Sequence, residues 1–224
     1  MAKKTYTAEE REHLREQLLD RGQALFARYG YRAAPLKEVY EPLGISKTFF
    51  YTFFPGKEAL AIQVLCRQRT TMLERAREVV RAAPGWRAGL ERVFDLFFHG
   101  SQNGVFTLEL EDVQHLFRHM TPEEQREFWE GLSEFYRALL ALWDIPASQR
   151  EYQLVQNMVS TLLLAYHSRL YASLPFAPGL EEETMSLQVK LIIDYLEDLH
   201  REHAAGWSLF KISSDEPNSV GFTK

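Results

Sequence analysis

The sequence has few of the residues and patterns that mark secreted, membrane-spanning or disulfide-bonded proteins. Its 224 residues include one cysteine, Cys66, so no disulfide can form within the chain and a reducing compartment is favoured. No apolar run approaches the roughly 18 residues of a membrane span, and the lysine-bearing start lacks an apolar signal core. We therefore expect a soluble cytoplasmic protein, in which Cys66 is a small apolar residue on a helix rather than a reactive thiol.

Motifs of catalysis and cofactor binding are also missing. The chain has no Gly-x-Ser-x-Gly turn, no glycine-rich phosphate loop and no Cys-x-x-Cys pair. Glu111, His115 and His119 are spaced four residues apart, which would align them on one helix face where metal ligands could meet. Three such residues on a surface stripe are more often simply solvated. The sequence thus predicts no enzyme, no cofactor and no metal site.

Negative charge predominates, but it is unevenly distributed. The net charge of the chain is −5. Residues 1–57 carry ten basic and seven acidic side chains, a net +3, whereas residues 58–224 carry sixteen and twenty-four, a net −8. An acidic chain with a mildly basic beginning is not a general polyanion binder. The pattern is typical of a protein that meets nucleic acid at one end only.

The chain does contain helical periodicity along most of its length. Apolar residues recur every three or four positions, and no segment of useful length alternates with a period of two. Start signals are the capping box that begins at Thr7 and the Thr121-Pro122 pair, and Gly30 and Pro84-Gly85 are stop signals. These patterns predict an all-α protein with helices over 8–30, within 31–43, and over 47–54, 57–83, 86–99, 105–120, 122–143, 148–174 and 181–203. Loops are predicted at 100–104 and 175–179.

The most informative stretch is residues 44–60, GISKTFFYTFFPGKEAL. Gly44 can adopt the left-handed conformation that ends one helix, and Ser46 is a good N-cap for the next. Phe50 and Phe54, four residues apart, place bulk on the inward face of that short helix. The Pro55-Gly56 pair then ends it. This order of signals is typical of a helix-turn-helix whose second helix can enter the major groove of DNA.

The residues Gly44-Ile45-Ser46-Lys47, Tyr51, Phe54 and Lys57-Glu58-x-Leu60 resemble the DNA-binding signature of TetR/AcrR-family transcriptional regulators. The resemblance is specific over about residues 18–60. It implies a three-helix DNA-binding domain at 1–56, a helical ligand-binding and dimerisation domain at 57–205 and a tail at 206–224. It further implies a homodimer on double-stranded operator DNA, most often a repressor that a small apolar or aromatic effector releases.

Four residues depart from the family pattern. Pro35 stands where a phosphate-binding threonine is usual, Tyr40 replaces a small residue, and Pro42 lies close to a helix end. Phe53 occupies a position that often carries a histidine or another polar group. These departures leave open an alternative from another class, a helical ligand-binding or adaptor protein with weakened or lost DNA binding.

The resemblance assigns a DNA-reading surface. Lys47, Thr48, Phe49 and Tyr51 would lie on the reading helix, and Lys57 would meet a phosphate at the start of the next helix. Lysine and tyrosine can bond phosphate oxygens, and threonine or phenylalanine can touch a thymine methyl group. For Phe49, packing within the small domain is an equally good interpretation.

Aromatic residues are concentrated in the middle of the chain. Apolar effector pockets are lined by such side chains together with a few polar groups. The alternative for any one of them is ordinary core packing. The predicted ligand pocket comprises Phe94, Phe97, Phe98, Phe117, Trp129 and Tyr136.

The helices predicted at 148–174 and 181–203 are apolar on more than one face. One face of each can pack on the body, and the other then needs a partner, as in a four-helix interface about a two-fold axis. The predicted dimer interface comprises Leu162, Tyr166, Leu191, Tyr195 and Leu199. The alternative is that the aromatic tail after residue 206 covers the second face within one chain.

Overall fold

The all-α prediction is confirmed. The computed structural model describes residues 6–98, 105–145, 147–167, 177 and 179–204. These residues form nine α-helices and no β-strand. The helices are α1 (Ala8–Ala33), α2 (Lys37–Tyr40), α3 (Lys47–Phe50), α4 (Lys57–Ala82), α5 (Trp86–Phe98), α6 (Leu110–His119), α7 (Pro122–Ala141), α8 (Gln149–His167) and α9 (Glu181–Ala204). Within the described ranges, no helix is both long and apolar enough to cross a bilayer.

The first helix begins as the sequence predicts and ends later. The Thr7 hydroxyl accepts a hydrogen bond from the Glu10 backbone N–H, and the Glu10 carboxylate accepts one from Thr7, which completes the capping box. Gly30 has φ 74°, so the chain bends there, but another helical turn follows to Ala33. Tyr31, buried directly after the bend, packs this extra turn into the core.

The helix predicted within 31–43 is much shorter than expected. Only Lys37–Tyr40 is α-helical, and Glu41–Leu43 continues as a 3-10 turn. Pro42 explains the change, because it has no N–H for an α-helical hydrogen bond. Pro35 lies before the helix rather than at its first position, and its carbonyl accepts from the Glu38 N–H at 2.9 Å. Gly44 then adopts the predicted left-handed conformation, φ 68°.

Helix α6 begins five residues later than the sequence predicts. Residues 105–109 are not helical, because a buried side chain satisfies the backbone there. Gln68 Nε2 donates to the Phe106 carbonyl at 3.0 Å, and the Phe106 N–H donates to Gln68 Oε1 at 2.7 Å. These two bonds replace the ones that a helix would supply. The Phe106 ring is fully buried against Phe26 of α1.

The remaining boundaries lie close to the predicted ones where the structure describes them. Helices α4, α5, α7 and α9 each end within two residues of the predicted position. The predicted end of α8 at 174, the loop at 100–104, most of the loop at 175–179 and the tail at 206–224 lie outside the described residues.

Two buried clusters form the core, and α4 contributes to both. The first, which we call the head, joins α1–α3 to the first turns of α4 and includes Phe106 and Leu116. The second, the body, joins α5, α7, α8 and α9 to the second half of α4. Arg67 fixes α4 to α1 through ion pairs with Glu16 at 3.1 Å and Asp20 at 2.8 Å. The long fourth helix therefore connects the two units.

Candidate DNA-binding surface and ligand cavity

Helix α3 presents a polar outer face because its bulky residues are turned inward. The Ser46 hydroxyl accepts a hydrogen bond from the Phe49 N–H at 3.2 Å and caps the helix. Phe50 is completely buried in the head. Three of the residues assigned to DNA reading, Lys47, Thr48 and Tyr51, are exposed. The second helix of the motif is thus held by its inner residues and free to meet a groove with its outer ones.

Phe49 is half-buried, and its ring is engaged by the beginning of the chain. It stacks on Tyr6 with ring centroids 4.9 Å apart and meets Phe53 edge-on at 5.3 Å. The Arg11 guanidinium lies 4.7 Å from the Phe53 ring centroid and 5.7 Å from that of Phe49. These contacts favour a packing role for Phe49 and Phe53 over a base contact.

Lys57, the predicted phosphate contact, lies beside the end of α1. Its Nζ donates to the Arg32 carbonyl at 3.0 Å and lies 5.2 Å from the centroid of the Tyr31 ring. Burial lowers the pKa of Lys57. An ammonium group has three donors, so this arrangement fixes its position and leaves capacity for a phosphate oxygen.

A cavity of about 340 Å³ lies among α4, α6, α7 and α8. Four of the six predicted pocket residues line it: Phe97, Phe117, Trp129 and Tyr136. Phe94 and Phe98 do not line it; they stack on each other in the body core, with centroids 6.2 Å apart. Their inward face meets α8 and α9 rather than the cavity. Apolar lining residues that the sequence analysis did not assign include Leu65, Met72, Val113, Leu132, Leu163 and Leu164.

Few polar side chains reach this cavity. The Tyr136 hydroxyl lies 3.1 Å from Ser160 Oγ, within hydrogen-bond distance, and burial raises the pKa of Tyr136 to about 12. Gln68 is occupied by Phe106, as described above. Arg69 brings a half-buried guanidinium to the wall, and burial lowers its pKa. The sequence analysis missed Arg69, because arginine on a helix is ordinarily a solvated residue.

The opposite side of α6 meets the head through a group that we call the junction cluster: Tyr31, Arg32, Glu58, Asp112 and His115. The Tyr31 hydroxyl donates to Glu58 Oε1 at 3.0 Å, and His115 Nε2 lies 3.4 Å from the same oxygen. Arg32 Nε lies 2.9 Å from the carboxylate of Asp112, which is only 5% exposed. This contact is an ion pair without good hydrogen-bond geometry. Burial opposes ionisation of Glu58, but hydrogen bonds outweigh it and lower its pKa.

The three residues with metal-ligand spacing are used in other contacts. Glu111 pairs with Arg32 at 2.8 Å, His115 faces Glu58, and His119 Nδ1 lies 2.8 Å from the His115 carbonyl. Within the described part of the chain, no group of three or more histidine, cysteine or acidic residues is arranged to hold a metal ion. The structure therefore places this stripe at the junction of head and body.

The residues assigned to a dimer interface have mixed exposure. Leu162 and Leu199 are buried in the body core of their own chain, although Leu162 also lines the groove between α8 and α9. Tyr166 and Tyr195 are half-buried, and Leu191 is 58% exposed. The exposed apolar surface is what we call the α8–α9 face: Leu154, Met158, Leu187 and Leu191. A groove between the two helices runs along it and is lined by Met158, Thr161 and Leu191 among others.

The sequence of the helix-turn-helix region matches a known family of proteins. The family model "Bacterial regulatory proteins, tetR family" matches residues 18–64, which span most of α1, the helix-turn-helix and the beginning of α4. The chain is 32% identical over 96 residues to the HTH-type transcriptional activator FasR of Mycolicibacterium smegmatis, covering 41% of this chain and 44% of FasR. It is 26% identical over 129 residues to the HTH-type transcriptional repressor KstR2 of Rhodococcus jostii, covering 54% and 63% of the two chains. The matches thus span less than two thirds of either relative.

The fold agrees over a longer range. A crystal structure of a TetR-family transcriptional regulator from Pectobacterium atrosepticum superposes with a TM-score of 0.54 at 17% identity, covering 87% of this chain and 95% of that one. At such an identity the likeness concerns the fold alone. The relatives are transcriptional regulators and not enzymes. Over residues 18–64 the chain thus belongs to the family of bacterial regulatory proteins of the tetR type, and over the longer described range it has the fold of a TetR-family regulator.

Proposed function

We propose that the protein is a ligand-responsive regulator that binds operator DNA in the cytoplasm as a homodimer. In this proposal it is a repressor, released when a small apolar or aromatic molecule fills the cavity. One relative is named an activator and the other a repressor, so the relatives do not decide between the two, and repression is our proposal. The head, with the predicted boundary at residue 56, would read DNA through Lys47, Thr48 and Tyr51, and the body would hold the ligand.

The observation that carries the proposal is the position of α6. One side of this helix lines the cavity with Val113 and Phe117. The other side places Asp112 and His115 against the head, and Leu116 is buried in the head core. A molecule that moves α6 therefore changes contacts in both places, which is the differential interaction that a ligand needs to shift a conformational equilibrium.

The direct test is binding to the DNA upstream of the protein's own gene. A regulator should shift that fragment and lose affinity steeply as salt rises, because each neutralised phosphate releases counterions. An unrelated fragment of equal length is the control. Equal, weak binding to both fragments would support the alternative, a ligand-binding or adaptor protein without operator recognition.

Lys57→Ala should weaken binding to all DNA sequences alike and lower the slope of log affinity against log salt by about one unit. The reason is the loss of one phosphate contact, which carries no sequence information. Affinity is measured by fluorescence anisotropy over a salt series. Lys190→Ala is the control, since it removes the same charge from an exposed site on α9. An unchanged slope would remove Lys57 from the contact surface.

A further inference from the structure

We propose that the effector is an apolar monocarboxylate whose anionic group binds the guanidinium of Arg69. The inference rests on the proposed function, because it takes the cavity among α4, α6, α7 and α8 to be the effector site. It adds the chemical class of the molecule and the residue that selects it.

The guanidinium of Arg69 is held in one place by three features of α7. Its Nη1 donates to the Phe128 carbonyl at 3.1 Å, and its Cζ lies 4.1 Å from the centroid of the Phe128 ring. Gly131 makes room for it, because a Cβ at that position would lie 3.1 Å from Nη1. A group that is positioned before the ligand arrives loses little entropy on binding.

The charge of Arg69 has no counter-ion among the residues that the structure describes. Other arginines of this chain have carboxylate partners, for example Arg67 with Asp20 at 2.8 Å and Arg87 with Glu197 at 2.6 Å. Arg69 makes a single hydrogen bond within the described ranges, although a guanidinium has five N–H donors. Keeping a cation half out of water without a counter-ion costs free energy, which an anionic ligand would recover.

The rest of the cavity suits an apolar body. Its wall is formed mostly by Leu65, Met72, Val113, Phe117, Trp129 and Leu132. Gln68 is committed to Phe106, and Tyr136 and Ser160 lie within hydrogen-bond distance of each other. The wall also includes Thr107 and His167, but it is mostly apolar. A guanidinium in such a cavity matches a carboxylate on a hydrocarbon or aromatic tail, and the two groups can bond in a bidentate manner.

The anchor also lies close to the helix that meets the head. Phe128, on which Arg69 stacks, contacts Phe117 of α6 edge-on with centroids 5.3 Å apart. Trp129, the next residue, lies 5.2 Å from the same Phe117 ring. A carboxylate at Arg69 is therefore one aromatic contact away from α6, and its tail would lie against α6 itself.

The experiment compares octanoate and decanoate with 1-octanol and 1-decanol, which share the tails and lack the charge. Binding to the full-length protein is followed by calorimetry and by tryptophan fluorescence, to which Trp129 in the cavity wall contributes. We expect the wild type to bind each carboxylate at least about tenfold more tightly than its alcohol, since hydrogen bonds to charged groups are the stronger ones. In Arg69→Met this preference should disappear, and the affinity for the alcohol should be unchanged or improved.

Two further variants separate anchoring from folding. Gly131→Ala keeps every charge and favours the helix, but its methyl group would lie 3.1 Å from Arg69 Nη1 and shift the guanidinium by a few tenths of an ångström. Carboxylate affinity should therefore fall without loss of thermal stability. Arg77→Gln removes one positive charge from an exposed site on α4 and should leave the preference intact. Arg69→Met should melt at or above the wild-type temperature, because it removes a charge without a counter-ion. If Arg69 had only a structural role, Arg69→Met would melt at a lower temperature than the wild type.

Three results would overturn the inference. They are a wild type that binds the alcohols as well as the carboxylates, a wild type that binds neither, and Arg69→Met and Gly131→Ala variants that lose both ligands equally. Operator binding is measured on the same samples without ligand. If the protein binds the upstream DNA but no carboxylate, the proposed effector class is wrong, but the proposed function as a DNA-binding regulator stands. If the upstream DNA is not bound, the proposed function fails whatever the cavity holds.

Discussion

Phe54→Ala is expected to abolish DNA binding by unfolding the head, with a loss of about 3–5 kcal/mol in the free energy of unfolding. The Phe54 side chain is 0% exposed and packs against Phe50 with ring centroids 5.7 Å apart. Small three-helix units have little stability to spare, so a loss of this size removes most of it. The change touches none of the exposed residues of α3, and any effect on DNA therefore passes through folding.

The measurement is amide hydrogen exchange of α1–α3, read beside a thermal melt and operator affinity. Phe53→Ala is the matched control, because it deletes the same atoms from a half-buried ring one position away. Phe53→Ala should lower the free energy of unfolding by less than half as much as Phe54→Ala. Equal losses for the two variants would contradict the burial difference, and normal exchange protection in Phe54→Ala would contradict the assignment of Phe54 to the head core.

The sequence was sufficient for the parts of the fold that depend on neighbouring residues. The capping box at Thr7, the left-handed Gly44 and the Ser46 cap all act within four positions, so a local pattern contains the whole cause. The late start of α6 does not have a local cause. It depends on Gln68, 38 positions before Phe106, whose side chain takes the backbone bonds of that segment. Periodicity alone cannot detect such a contact.

Prediction of the ligand cavity from the sequence has the same limit. Periodicity predicts that a face is turned inward, but not whether it meets a cavity or a packed core. Phe97 and Phe94 lie three positions apart on α5, and only Phe97 reaches the cavity. Arg69 could not be singled out from sequence, because its unusual property is burial without a counter-ion, which only tertiary structure creates.

The predicted dimer interface shows the same limit of helical periodicity. The sequence correctly indicates that α8 and α9 have more apolar surface than one chain's stripe needs. Helical spacing also predicts an exposed position for Leu199, but this side chain is only 2% exposed and lies in the body core. The apolar residues of α8 and α9 that are most exposed to a partner are those of the α8–α9 face.

Met158→Glu combined with Leu191→Glu is expected to give a monomer of 26.1 kDa and to weaken operator binding by about 100-fold or more. Both side chains line the groove between α8 and α9, and both are exposed in the single chain, at 37% and 58%. A carboxylate in an apolar interface must be desolvated without a partner, which opposes association. In the free chain the same carboxylates are hydrated, so the folded monomer should keep its melting behaviour.

The loss of DNA affinity follows from the way a dimer binds. When one head is seated, the second meets its half-site as an intramolecular partner, and the combined affinity exceeds that of either head by factors of about 10² to 10⁴. Two half-sites one helical turn apart, about 34–36 Å, require that coupling. The double variant should still bind a single half-site as weakly as one wild-type head does, which separates lost assembly from a damaged head.

Sedimentation at micromolar concentration tests whether the double variant is a monomer. Fluorescence anisotropy with full and half operators tests the loss of DNA affinity. Glu182→Leu is a useful counter-variant, since it changes an exposed residue at the start of α9 outside the groove and should leave the assembly unchanged. A wild type that sediments as a monomer as concentration rises would refute the α8–α9 interface. A double variant that remains dimeric would place the interface on another surface, and the two-fold operator arrangement would then have to be derived from that surface instead.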